Sequence, residues 1–210
     1  DGLKVSPNGI LRGIESTLPD VSIAGGSAGD DGKYKETFQY CNGTAHTNSV
    51  AAMSFCGALD LSIGVRHGWS PISGIRKVTK SEGSVVHEID NQSAIKLYEE
   101  FIGSEAEKLK EVTLAEIALS YPVGLIDPVS KEMLLRAPFY VDANGSITFG
   151  GEIPEGSEVQ LMMGTRGQAI EAARQAGKDA VANLGSKPAA AIIYSCHVRD
   201  SLYESRDEAK

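Results

Sequence analysis

A cationic surplus is what this sequence most plainly lacks. Its 20 Lys and Arg stand against 28 Asp and Glu, a formal net charge of −8. No Lys/Arg run gathers on one stretch, so the phosphate contacts that drive nucleic-acid binding have no source, nor does attraction to an anionic membrane. Long apolar runs are missing as well. The longest, Pro188 to Tyr194, is far below the roughly 20 residues that span a bilayer, and no basic stretch followed by an apolar one opens the chain. No membrane insertion is expected. Cysteine is scarce: Cys41, Cys56 and Cys196 are an odd number without a CxxC pair. That pattern argues against a secreted disulfide framework and for a reducing compartment, the cytoplasm. His46, His67, His87 and His197 are scattered without an HExxH motif, so no metal and no cofactor is indicated.

What is present is a globular composition. The 210 residues are 41% hydrophobic and 23% charged, which excludes wholesale disorder, coiled coils and collagen-like repeats and allows a sizeable core. The length suits one large domain or two small ones, with small molecules or proteins as partners. The chain starts at Asp1 without an initiator Met and stops in the charged tail Asp207-Glu208-Ala209-Lys210, as a piece of something longer would.

Ser6-Pro7 followed by Ile10, Leu11, Ile14 and Leu18 predicts a helix ending at Pro19. A short strand, Val21–Ala24, then runs into a glycine-rich loop. Asn42-Gly43 is a hairpin turn between Thr37–Cys41 and Val50–Phe55, and Leu59–Arg66 reads as a further strand. Lys77–Thr79 and Ser84–Ile89 predict a hairpin, and Asp90 to Gly103 an amphipathic helix stopped by glycine. A second helix is expected within Ser104–Leu119. Asn144-Gly145 joins Met133–Val141 to Ser146–Phe149, and Glu158–Met163 follows as a strand. Thr165 and Gln168 have capping-box spacing ahead of a helix lined by Ile170, Ala173, Ala180, Val181 and Leu184. Ala189–Tyr194 reads as a strand covered on both sides. The fold class is therefore α/β or α+β, with mixed, largely antiparallel sheets and packed helices. The repeated order of helix, strand and polar loop at 6–30 and 165–200 suggests a weak internal duplication.

Three constellations bear on function. Gly25-Gly26-Ser27-Ala28-Gly29-Asp30 follows a strand, where backbone N–H groups can approach an anion; it fits neither the dinucleotide fingerprint nor the P-loop. A tight connection is the competing reading. Arg66-His67-Gly68-Trp69 sets a guanidinium that suits a carboxylate beside an indole that suits an apolar group; singly, these are ordinary surface and core residues. Ser195-Cys196-His197-Val198-Arg199 places a thiol, an imidazole and a guanidinium just past a strand. Neighbours on a strand point to opposite faces, so Cys196 and His197 do not form an obvious nucleophile–base pair. A Cys196 nucleophile in acyl or phosphoryl transfer remains the enzymatic alternative, against a structural or pocket cysteine. No catalytic set is assigned.

Gly25–Asp30, Val78–Thr79 to Ile89 leading into the helix at Ala94–Gly103, Leu135–Pro138 through Gly145–Ile147, and Ser195-Cys196-x-x-Arg199 together resemble the FIST domain. The resemblance places residues 1–88 in the C-terminal portion of the family's N-type region and 90–210 in its C-type region. It implies further strands and helices before Asp1, and a helix and strand after the Ser-Cys-x-x-Arg segment. It also implies an intracellular sensory domain of a signal-transduction protein that binds an amino acid or similar metabolite, with an output signalling domain or protein as partner. On that reading the ligand-binding candidates are Gly25, Gly26, Ser27, Asp30, Arg66, His67, Trp69, Ser195, Cys196 and Arg199.

Overall fold

Eleven short strands and three α-helices are present among residues 7–31, 33, 35–103, 121–127 and 133–203, which the structure, a computed structural model, describes. The helix expected within Ser104–Leu119 lies outside the described residues. Two compact units are present, one of residues 1–66 with 172–197 and the other of 67–171 with 198–210.

In the first unit, helix α1 (Pro7–Thr17) begins at the proline expected in its first turn and ends two residues before Pro19. β1 (Gln39–Cys41) and β2 (Thr44–His46) form a hairpin. Its turn residues Asn42 and Gly43 have φ of 50° and 78°, the double left-handed signature of a type I′ turn. The second strand is thus Thr44–His46 and not Val50–Phe55. Gln39 is held by its side chain, which donates to Thr37 Oγ1 at 3.2 Å and accepts from the Ser49 hydroxyl at 2.9 Å.

Three expected strands of this unit, Val21–Ala24, Leu59–Arg66 and Ala189–Tyr194, carry no ladder among the described residues. Ile192, Ile193 and Tyr194 are exposed, so the last run is not covered on both sides as its composition suggests. The reason is physical: a β-type sequence becomes a strand only when a second strand lies alongside to take its N–H and C=O groups. Among the described residues, the buried ones of this unit are Thr37 and Gln39, and no hydrophobic side chain is buried.

The second unit holds the core. Its strands are β3 (Trp69–Pro71), β4 (Arg76–Glu82), β5 (Val85–Ile89), β6 (Gln92–Ser93), β7 (Val123–Ile126), β8 (Met133–Arg136), β9 (Pro138–Val141), β10 (Ile147–Phe149) and β11 (Glu158–Gly164). They form one sheet with the order β8-β7-β11-β4-β5-β10-β9, with β3 added on β11 and β6 on β5. Every pairing is antiparallel. The two end strands of that path, β8 and β9, are separated in sequence by Ala137 alone. Since consecutive Cα atoms lie about 3.8 Å apart, the sheet must curl until its ends meet at that residue. This is also why Met133–Val141, read from sequence as one strand, divides in two.

Helix α2 (Ile95–Ile102) packs on this sheet through Ala94, Ile95, Leu97 and Tyr98 against Val78, Val86, Ile147 and Leu161. It ends as expected at Gly103, whose φ of 62° lets its N–H reach the carbonyl of Glu99. The Tyr98 hydroxyl donates to the Tyr121 carbonyl at 3.0 Å, and complete burial pushes its pKa far above the usual tyrosine value. Helix α3 (Arg166–Ala182) opens with the predicted capping box: Gln168 Oε1 accepts from Thr165 N at 3.0 Å, and Thr165 Oγ1 from Gln168 N at 3.3 Å. Of its residues only Ala169 is buried. Antiparallel sheets with a few helices make the fold α+β. Among the described residues, no helix is long and apolar enough to cross a membrane.

The β9–β10 turn is organised by Asp142, whose carboxylate accepts from Asn144 N at 2.9 Å and Ser146 N at 2.8 Å. Burial acts to raise its pKa, but the Ser146 and Asn144 hydrogen bonds and the nearby His87 outweigh it and hold the group below its usual value. A depressed carboxyl pKa contributes stability above the unfolded-state value, near 4, and loses it as pH falls through the folded-state value. In Asp142→Asn, acid-induced loss of stability below about pH 4 should therefore be shallower than in the parent, measured as denaturation midpoint against pH. Removing the Tyr98 hydrogen bond in Tyr98→Phe should lower unfolding stability by about 1 kcal/mol, since net hydrogen-bond contributions cluster there. Urea melts should show a reduced midpoint with an unchanged slope.

Candidate functional site

β11 fixes where Trp69 sits. Its last residues pair with β3 so that Gly164 lies opposite Trp69, Met163 opposite Ser70 and Met162 opposite Pro71. A Cβ at Gly164 would lie 2.8 Å from Trp69 Cε2 and Nε1 and 3.1 Å from Leu202 Cδ1. Only glycine leaves room for the indole there. Trp69, 6% exposed, is a buried residue and not an exposed stacking surface. Its backbone N–H donates to His67 Nδ1 at 3.0 Å. Across the ladder the Ser70 hydroxyl accepts from Gln168 Nε2 at 2.9 Å, tying β3 to the first turn of α3.

Leu202 belongs to a 3-10 helix, His197–Leu202, that also carries Arg199 one turn earlier. Arg199 Nη2 donates to the Ala169 carbonyl at 2.9 Å and to the Tyr203 hydroxyl at 2.8 Å, which anchors this helix on the start of α3. Two donors here, Trp69 Nε1 and Arg199 Nε, are buried without an acceptor among the described residues. Both side chains are donor-only, and a buried donor left without a partner costs about 1–3 kcal/mol.

The remaining candidates fall in the other unit. None of Gly25, Gly26 and Gly29 has a positive φ, so the loop is not a left-handed connection. Asp30 Oδ2 accepts from Lys35 N at 2.6 Å and Glu36 N at 3.2 Å, fastening the loop's far end. Ser27 is exposed. A Cβ at Gly26 would lie 3.6 Å from the Tyr194 ring, so the glycine loop and the residues leading into Ser195 and Cys196 run side by side. Cys196 is an exposed free thiol. Arg66 is engaged by Asp179, with Nε at 2.8 Å and Nη2 at 2.6 Å from Oδ2. A hydrogen bond from Gln175, and then Arg66 itself, hold the Asp179 carboxyl below its usual range. This guanidinium therefore already has its carboxylate. Arg136 donates from Nε to the Glu152 carbonyl at 3.2 Å, and burial lowers its pKa against the pull of the Glu152 charge.

Sequence reading found Trp69, His67 and Arg199 but not Gly164, Ala169, Leu202 and Tyr203. A register of β3 on β11 would have been needed to set Gly164 against Trp69. The i, i+4 spacing of Arg199 and Tyr203 was the one local signal available. Trp69 is the chain's single tryptophan, so its emission reports this cluster directly. Gly164→Ala should displace the indole, moving the emission to longer wavelength and lowering the thermal midpoint; unchanged emission would refute the packing described.

Residues 1–92 match the FIST N domain family and residues 94–210 the FIST C domain family. An uncharacterized protein of Methanocaldococcus jannaschii is 30% identical over 162 residues, covering 72% of this chain and 30% of the relative. An uncharacterized protein of Mycobacterium tuberculosis, found in two strains, is 22% identical over 195 residues, covering 91% of this chain and 51% of the relative. The chain thus spans about half the length, or less, of the curated relatives it matches. No solved structure matches it. With both family matches in sequence and together spanning nearly every residue, the chain belongs to the FIST domain family.

Proposed function

We propose that this chain is a ligand-sensing module of a signal-transduction protein, and that it binds a small carboxylate-bearing metabolite of amino-acid type at the Trp69–Arg199 cluster. Family membership supports the sensory role. The observation that carries the ligand class is the pair of buried donors, Trp69 Nε1 and Arg199 Nε, with no acceptor among the described residues. Buried polar groups in folded proteins are nearly always satisfied, and a carboxylate supplies two acceptor oxygens, the strongest complement to an arginine. Trp69 would present its N–H to the ligand and keep its ring packed on Gly164 and Leu202. His67, bound to the Trp69 backbone, would hold that strand end in place. Arg66, Ser195, Cys196 and the Gly25–Asp30 loop belong to the other unit and have no part in this assignment. Signal output would then come from other parts of a longer protein, or from a separate partner.

A thermal-shift series with single amino acids and simple carboxylic acids tests this reading. A ligand at 100-fold its dissociation constant stabilises the folded state by about 2.7 kcal/mol, which is read as a rise in melting temperature. Trp69→Phe keeps the ring and deletes the donor, and Arg199→Lys keeps the charge and deletes Nε. Each should weaken binding roughly tenfold to a hundredfold, the worth of a hydrogen bond to a charged group. If no carboxylate shifts the melting temperature, or if both variants bind as the parent does, the assignment fails.

A further inference from the structure

Arg199, Ala169 and Tyr203 all belong to the sheet-bearing unit. The Nη2 atom of Arg199 carries two N–H groups, and both are taken, one by the Ala169 carbonyl at 2.9 Å and one by the Tyr203 hydroxyl oxygen at 2.8 Å. A carboxylate meets a guanidinium best through two parallel N–H groups. On the Nε side that fork is closed, because Nη2 has no proton left to give. A carboxylate oxygen seated on Nε–H therefore leaves its second oxygen to be met by another donor. Tyr203 supplies one. A tyrosine hydroxyl both accepts and donates; its oxygen here accepts from Arg199, which leaves its own proton free, and that proton has no acceptor among the described residues. Tyr203 is half-buried and follows Leu202, whose side chain shares the space over Gly164 with the Trp69 indole.

We infer that Tyr203 is a third ligand-binding residue of this cluster: its hydroxyl, held in place by Arg199 Nη2, donates to the carboxylate oxygen that Arg199 Nε leaves unmet. The inference rests on the carboxylate reading of the Trp69–Arg199 cluster and sharpens the ligand class to free, ionised acids. Because the hydroxyl accepts from a cation, its O–H is polarised and donates more strongly than an isolated phenol would. An ionised carboxylate is acceptor-only, with about four lone-pair sites on its two oxygens, so it can take the Arg199, Trp69 and Tyr203 protons together. The primary amide of the same acid has nearly the same shape but carries an NH2 in place of one oxygen. With its single oxygen turned to Arg199, that NH2 offers the Tyr203 proton nothing to bond to. Tyr203 thus helps the site choose an acid over its amide, which the Arg199 charge alone would do less sharply.

Calorimetric titrations of the chain with propionate, alanine and leucine, each beside its primary amide, test it in the parent and in Tyr203→Phe, which keeps the ring and deletes the hydroxyl. The variant should bind the acids roughly tenfold to a hundredfold more weakly, the worth of a hydrogen bond to a charged group, and should narrow the preference for acid over amide, with Trp69 emission unchanged. A Tyr203 that only props Arg199 would weaken acid and amide alike. Infrared spectra give a direct readout of contact: with the acid carrying a 13C-labelled carboxyl and present at saturation, its carboxylate stretching bands should move between parent and variant. Acids bound as tightly by the variant as by the parent, an unchanged preference over the amides, or unmoved carboxylate bands would each overturn this inference and leave the carboxylate reading standing. A parent that binds none of the three acids overturns it too, and failure of every carboxylate in the thermal-shift series removes the underlying reading as well.

Discussion

The backbone ladder of β11 is the constraint on which the rest of the structure depends. In seven residues it pairs with β4 through Glu158 and Val159, with β7 through Val159 to Leu161, and with β3 through Met162 to Gly164. Val159 and Leu161 are fully buried in the core that α2 covers. The same strand then leads into the capped start of α3, where Ala169 receives Arg199. One short segment therefore sets the sheet order, the depth of Trp69 and the anchoring of the 3-10 helix. The cluster with its two unpartnered donors stands at the end of that strand, placed by rigid backbone pairing and not by a loop.

The two units divide the chemistry unevenly. All buried hydrophobic side chains among the described residues belong to the sheet-bearing unit. The other unit has apolar sequence in abundance and shows it to solvent, in runs that carry no ladder among the described residues. A β-rich segment in that condition is a surface seeking a neighbour.

How much of this was legible in the sequence depended on range. Local chemistry was read well: the Asn42-Gly43 and Asn144-Gly145 turns, the glycine stop of α2 and the Thr165–Gln168 capping box all appear, because each is decided by residues within a few positions of one another. Long-range pairing was not legible. Leu59–Arg66 has an ideal strand pattern, yet a pattern specifies a face and not a partner, and no strand pairs with it among the described residues. Ala189–Tyr194 failed in the same way. At the site, Trp69 and Arg199 stood out by residue type. Their relation through Gly164 and Leu202 needed the β3–β11 register, which no local spacing encodes. Arg66 misled for the opposite reason: its carboxylate partner, Asp179, lies far along the chain.

Ala137 has a consequence for how the sheet forms. Because the residues on either side of it belong to opposite ends of the strand order, neither end can settle into its final position until the whole arc between them has closed. Three of the six pairings along that arc, β7 with β11, β11 with β4 and β5 with β10, join segments distant in sequence, whose loop-closure entropy must be overcome before their contacts stabilise anything. Closure thus acts as a checkpoint during synthesis: β11, which joins β4 to β7, is the last of these strands to be made, and the edges of β4 and β7 that it fills stay open until then.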